Sequence, residues 1–142
     1  MKSCMAGRTE GAREVYVDTS ALIAFLDKSD SSHPLYRRLF SQPPPLVTSA
    51  LVIAEGHGWF LRRYDGRRAI EFLSFVEDLP RVRIESFDHT QIAAARSLVL
   101  RFADQPLTLV DVHGLAIMSH RRIRTCWSTD RHLGLCGAAL VR

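Results

Sequence analysis

Val15-Tyr16-Val17-Asp18-Thr19-Ser20-Ala21-Leu22-Ile23-Ala24-Phe25-Leu26 sets one carboxylate inside an otherwise nearly apolar dozen. Val15 to Val17 are β-branched and aromatic, which suits a strand, and the residues from Ser20 onward suit a helix. Asp18 therefore stands where a strand hands over to a helix, the kind of place where open α/β sheets carry ligands. A plainer role is also open to it. Asp, Thr and Ser all accept hydrogen bonds from the free N–H groups of a first helical turn, so Asp18 is equally a candidate N-cap.

Outward from this junction, strands and helices alternate. A helix over 20–27 breaks in the turn formers of 29–34, and Pro34 opens a second helix over 35–41. Pro43, Pro44 and Pro45 forbid its continuation and reset the chain to an extended course, with a strand at 46–48. Ser49 caps a helix over 50–64 whose apolar residues Leu51, Val52, Trp59 and Phe60 recur at helical spacing. Asp65-Gly66 makes a turn, 67–79 an amphipathic helix with Ile70, Leu73 and Val76 inward, and 82–84 a third strand. Asp88 opens a capping box that leads a helix over 90–102. Thr108-x-x-Asp111 forms a second such box before a largely buried helix, with a fourth strand at 123–128 and an edge strand at 137–141. The alternation implies an α/β fold: a three-layer α/β/α domain with a mostly parallel sheet of four to five strands.

Length and composition fit that architecture. A chain of 142 residues is the usual size of one domain and buries a real core, so residues 14–142 are read as a single domain behind a small polar, flexible tail at 1–13. The start lacks the apolar block of a secretory signal and no run reaches membrane-spanning length, which places the protein in the cytoplasm. Three cysteines, Cys4, Cys126 and Cys136, show no CxxC spacing, which argues against a disulfide framework. His120, Cys126, His132 and Cys136 match no zinc spacing either. Every basic residue except Lys2 and Lys28 is arginine and the net charge is +4; arginine suits forked contacts to phosphate, although a solvated face explains the same pattern.

Three further acids join Asp18. Glu55 falls at i±4 from Leu51 and Trp59, on the apolar stripe of its helix, where a carboxylate is costly unless a partner arginine or a loosening at Gly56 and Gly58 relieves it. Asp111 is enclosed by Leu109, Val110 and Val112 yet also belongs to its capping box. Asp130 follows the fourth strand, where a turn aspartate is common. In a parallel sheet the C-terminal strand ends share one rim, so Asp18, Glu55, Asp111 and Asp130 can converge on one pocket. Such a cluster cannot stay ionised alone, because like charges raise one another's pKa. A divalent cation resolves the conflict, and hard oxygen ligands select Mg²⁺ or Mn²⁺. That is the chemistry of phosphodiester hydrolysis, and committing four acids to metal leaves a remainder still more positive, which favours a polyanionic substrate.

V-D-T-S-A-L-I-A at the first strand, a Glu on the helix after T-S-A, then L-T-L-V-D and S-T-D-R-H together resemble a PIN-domain ribonuclease, in particular the VapC-type toxins of toxin–antitoxin pairs. The resemblance runs from about residue 14 to the C-terminus. It implies a Mg²⁺- or Mn²⁺-dependent endoribonuclease acting on structured RNA such as tRNA or rRNA, with Asp18, Glu55, Asp111 and Asp130 as its acids. Thr19, Thr108 and Asp104 are implied as supporting residues. It also implies a homodimer held silent by a cognate VapB-type antitoxin, with no membrane association. Leu133 departs from the family's frequent aromatic after the last Asp. Alternatives are a housekeeping PIN nuclease and a non-catalytic PIN scaffold that binds RNA or a partner. A haloacid-dehalogenase phosphatase would need a second acid where this chain has Ser20. A response-regulator receiver would need a late lysine, and none follows Lys28.

Overall fold

The structure is a computed structural model and describes residues 13–135 and 137–141. The tail expected at 1–13 lies outside the described residues except for Arg13, as do Cys4 and Cys136. The elements run β1 (Val15–Val17), α1 (Thr19–Leu26), α2 (His33–Leu39), β2 (Leu46–Ser49), α3 (Ala50–Arg63), α4 (Gly66–Asp78) and β3 (Val82–Glu85). A single 3₁₀ turn at His89–Gln91 then leads into α5 (Ile92–Arg101), α6 (Leu109–Arg121), β4 (Thr125–Trp127), α7 (Arg131–Leu135) and β5 (Ala139–Leu140). The strands form one parallel sheet in the order β3-β2-β1-β4-β5. Right-handed crossovers therefore set α1 to α4 on one face and α5 to α7 on the other. The chain reverses its direction of travel across the sheet between β1 and β4, which makes that pair the topological switch.

Central strands of such a sheet are covered on both faces, so they read as unbroken apolar runs. Val15, Tyr16 and Val17 are buried without alternation, and Tyr16 pairs with Val47 on one side and Cys126 on the other. Under α1 and α2 the core is aromatic: Phe25 stacks on Phe75 with centroids 4.6 Å apart, and Phe40 meets Phe75 and Trp127 edge-on. Cys126 is a buried free thiol. At the end of α6, Arg121 binds Glu14 at 2.7 Å and Glu85 at 3.1 Å. This joins the end of α6 to the start of β1 and the end of β3.

Two expected faces are rotated. In α4 the buried residues are Ala69, Phe72 and Val76, whereas Ile70 is 64% exposed and Leu73 36%. In α3 the buried line is Val52, Gly56 and Phe60, so Glu55 stands beside the apolar stripe and is exposed. The reason is the α3–α4 contact. Gly56 offers no side chain, and the Phe72 ring fills the notch so closely that a Cβ there would lie 2.3 Å from Cζ. Seating that ring turns Ile70 and Leu73 outward. The capping boxes at Thr108 and Asp88 are present as expected, and Ser49 caps α3 through Val52 N–H.

Asp27 closes α1 and supplies a pH dependence. Its Oδ1 accepts from Ser29 N–H at 3.0 Å, Ser29 Oγ at 2.7 Å and Tyr64 Oη at 2.9 Å. Burial alone would raise this carboxyl, but the Ser29 and Tyr64 donors, with Arg63 nearby, hold it below its ordinary value. A lowered folded pKa gives stability that is complete above the unfolded carboxylate value and is lost as pH falls through the folded one. Tyr64→Phe is therefore expected to cost about 1 kcal/mol at neutral pH. Urea unfolding at a series of pH values should show that gap closing in acid; a pH-independent gap would assign the loss to packing.

Candidate active site

The first residue of the site is fixed by both strands of the switch. Asp18 occupies the N-cap position of α1 in extended geometry, yet its side chain makes no capping hydrogen bond, so the capping role expected for it is not realised. Its Oδ2 instead accepts Ser128 Oγ at 2.9 Å and Ser20 Oγ at 3.0 Å. The two hydroxyls are 3.1 Å apart and accept in turn from backbone donors, Ser20 from Thr129 N–H and Ser128 from Asp130 N–H, each at 2.9 Å. The backbone N–H of Asp18 also reaches Trp127 C=O at 3.0 Å. The end of β1 is thus stitched to the end of β4, and among the described residues Asp18 Oδ1 has no side-chain partner.

Asp130 belongs to the same stitch. It accepts His132 N–H at 2.9 Å and so starts α7, a short helix that the sequence reading passed over as a turn. Asp111 comes from the first turn of α6, where its Oδ2 accepts Thr108 N–H at 2.9 Å and its own N–H donates to Thr108 Oγ1 at 3.2 Å. The box fixes the rotamer of Asp111 while using one oxygen. Glu55 comes from the second turn of α3. All four acids line one cavity of about 370 Å³, together with Thr19, Ser20, Ile23, Trp59, Arg62 and Thr108. Asp104 does not: it is exposed and outside that lining, beside Gln105 Nε2 at 3.4 Å.

The electrostatics are those of a crowded anion site. Asp18 is 5% exposed. Burial pushes its carboxyl above the ordinary range and Asp111 adds to the push, with the Ser128 and Ser20 hydroxyls opposing it. Glu55 is raised as well, by desolvation first and then by Asp18 and Asp111, with Arg62 opposing. Thr19 Oγ1 is buried, approaches the Glu55 carboxylate without completing a hydrogen bond, and has no other partner among the described residues. An orphaned hydroxyl, a free Asp18 oxygen and carboxylates driven toward protonation all fit a hard cation. Among the described residues, no three His, Cys, Asp or Glu side chains are grouped to hold an ion directly. Mg²⁺ meets that arrangement, since it keeps several waters and takes only one or two carboxylates directly.

Sequence reasoning placed the four acids and missed Trp59 and Arg62 as lining residues. The signal for them was available: 55, 59 and 62 follow at i, i+4 and i+7 on one helix face. The missed Ser128 has a weaker one, standing two residues before Asp130 as Ser20 stands two after Asp18.

A parallel sheet with acids gathered at its topological switch defines an α/β domain with a carboxylate-lined cleft. Within that class the chain belongs to the PIN-domain family, whose model matches residues 15–134. It is 26% identical over 129 residues to the 23S rRNA-specific endonuclease VapC20 of two Mycobacterium tuberculosis strains, covering 90% of this chain and 98% of the relative. The crystal structure of M. tuberculosis VapC20, described as a sarcin–ricin loop cleaving toxin, superposes with a TM-score of 0.82 over 90% of this chain and 98% of that one. VapBC2 from Rickettsia felis, bound to a DNA fragment from its promoter, matches at a TM-score of 0.60 and 14% identity, over 90% of this chain and 97% of that one. At that identity it shows the fold alone. Among the described residues no helix is long and apolar enough to cross a membrane.

Proposed function

We propose that this protein is a metal-dependent endoribonuclease that hydrolyses phosphodiester bonds of structured RNA, and that it is the toxin of a toxin–antitoxin pair. The observation that carries the reading is the convergence of Asp18, Glu55, Asp111 and Asp130 on one cavity at the sheet's switch point. Likeness to an rRNA-specific endonuclease over nearly the whole chain supports rRNA as the substrate class. Bound Mg²⁺ or Mn²⁺ supplies a water of lowered pKa and charge neutralisation at the phosphate. Asp18, Glu55, Asp111 and Asp130 are the residues that would hold it, directly or through water. Asp18 is oriented by Ser20 and Ser128, Asp111 by the Thr108 box, and Thr19 offers a hydroxyl to the same space. A cognate VapB-type antitoxin and a second copy of the chain are the partners of this reading.

Purified protein freed of antitoxin, incubated with total RNA and Mg²⁺ or Mn²⁺, is expected to give discrete fragments that vanish with EDTA. Primer extension would map the cut. Fragments that persist in EDTA would sink the metal reading. RNA retention without cleavage under both ions would favour a binding scaffold.

A further inference from the structure

The face of α3 that carries Glu55 continues with Trp59 and Arg62, so an acid, an aromatic and a cation stand in line along one wall of the cavity. Arg62 is the single cation among the described residues lining it. It makes no ion pair or hydrogen bond with any described residue, although carboxylates line the same space. Its guanidinium folds back along the helix: a Cβ built on Gly58 would fall 2.9 Å from Arg62 Nη1. The glycine is where the guanidinium rests. Trp59 is half-buried and meets Phe60 and Tyr64 edge-on, at 82° and 67°, with neither ring stacked parallel on the indole.

A glycine in a helix interior is unfavourable by about 1 kcal/mol against alanine, so Gly58 needs a reason. A guanidinium left unpaired beside acids is suited to a ligand anion of forked geometry, and an indole without a stacked neighbour is suited to a flat π-face. We propose that Trp59 and Arg62 form a nucleotide subsite next to the acids, the indole stacking one base of the RNA strand and the guanidinium gripping the adjoining phosphate, with Gly58 as the space that lets the arginine lie there. The subsite rests on the nuclease reading for its substrate class. A purely structural role has the opposite sign. If Arg62 served only as a counter-ion to Glu55, its removal would tighten cation binding and leave RNA affinity alone.

The test uses the full chain and a synthetic RNA hairpin with a single-stranded loop. Trp127 is buried, so quenching of tryptophan fluorescence by the hairpin, read in EDTA, reports Trp59. Arg62→Gln is expected to weaken hairpin binding and raise KM about tenfold to a hundredfold, the loss typical of a charged hydrogen-bonded contact. The Mn²⁺ concentration for half-maximal activity should not rise, and Arg62→Lys should recover part of the loss. Trp59→Ala and Trp59→Phe remove the reporter and are read by KM, which should rise about tenfold for Trp59→Ala and by less for Trp59→Phe. Gly58→Ala is the sharpest variant: thermal unfolding should shift upward while RNA binding falls, a pair of changes no misfolding produces. Wild-type cleavage with KM unchanged in Arg62→Gln and Trp59→Ala overturns the subsite and leaves the nuclease reading standing. Arg62-dependent quenching without any cleavage keeps the subsite and removes the nuclease reading. No quenching of the wild type overturns the subsite.

Discussion

Asp18→Asn is expected to abolish RNA cleavage, by about a thousandfold or more, in a protein that remains folded. Asparagine keeps the shape, and its carbonyl oxygen still accepts the Ser20 and Ser128 hydroxyls, but it brings no charge to a cation. Stability should move the other way. The Asp18 carboxyl is raised by burial, so between its ordinary pKa and its folded one the native state binds more protons than the unfolded state. The metal-free wild type therefore loses stability as pH rises through that window and stays at the lower level above it. The asparagine variant lacks this loss and should match or exceed the wild type in EDTA at neutral pH. Adding Mn²⁺ should raise the wild-type unfolding midpoint and leave that of the variant nearly unmoved, because a ligand stabilises only the state that binds it. Thermal scans across pH, with and without Mn²⁺, separate these effects. A variant that unfolds would return Asp18 to an architectural role, and one that cleaves at the wild-type rate would place the chemistry elsewhere.

The second large effect is on the α3–α4 contact. Phe72 is fully buried, its ring tip lies against Gly56, and its centroid is 5.5 Å from that of Phe60, one turn further along α3. Phe72→Ala should cost about 3–5 kcal/mol, the transfer term plus a cavity that two helices cannot collapse into. Gly56→Ala alone should destabilise by about 1–3 kcal/mol despite alanine's better helix propensity, since the new methyl overlaps the ring. Combined with Phe72→Leu, which withdraws the ring edge, the alanine should be tolerated better than the sum of the single changes. Urea denaturation of the four proteins in that cycle measures the coupling; strict additivity would show that the notch does not hold the helices together.

Local grammar made most of the fold legible. A β-branched run before an acid marked β1, proline and serine marked helix starts, and T-x-x-D marked the box that holds Asp111. These signals depend on neighbours a few residues apart. What escaped depends on contacts the chain makes at a distance. The period of α4 allows Ile70, Leu73 and Val76 as well as Ala69, Phe72 and Val76, and only a glycine on another helix decides between them. Of the two serines that hold the Asp18 carboxylate, Ser128 comes from 110 residues further along the chain. Arg62 reads as one more surface arginine until Gly58 is seen beneath it. The acids were therefore found in sequence, while their orientation was not.

The stitch at the switch point bears on when the molecule becomes active. Ser128 reaches Asp18 across 110 residues of chain. During synthesis Asp18, Glu55 and Asp111 all leave the ribosome before the strand that seats the first of them. A polypeptide stopped before β4 thus carries three of the acids but lacks Ser128 and Asp130, and is expected to be inert. For the rRNA nuclease proposed above, this ordering withholds the site until the product is nearly complete.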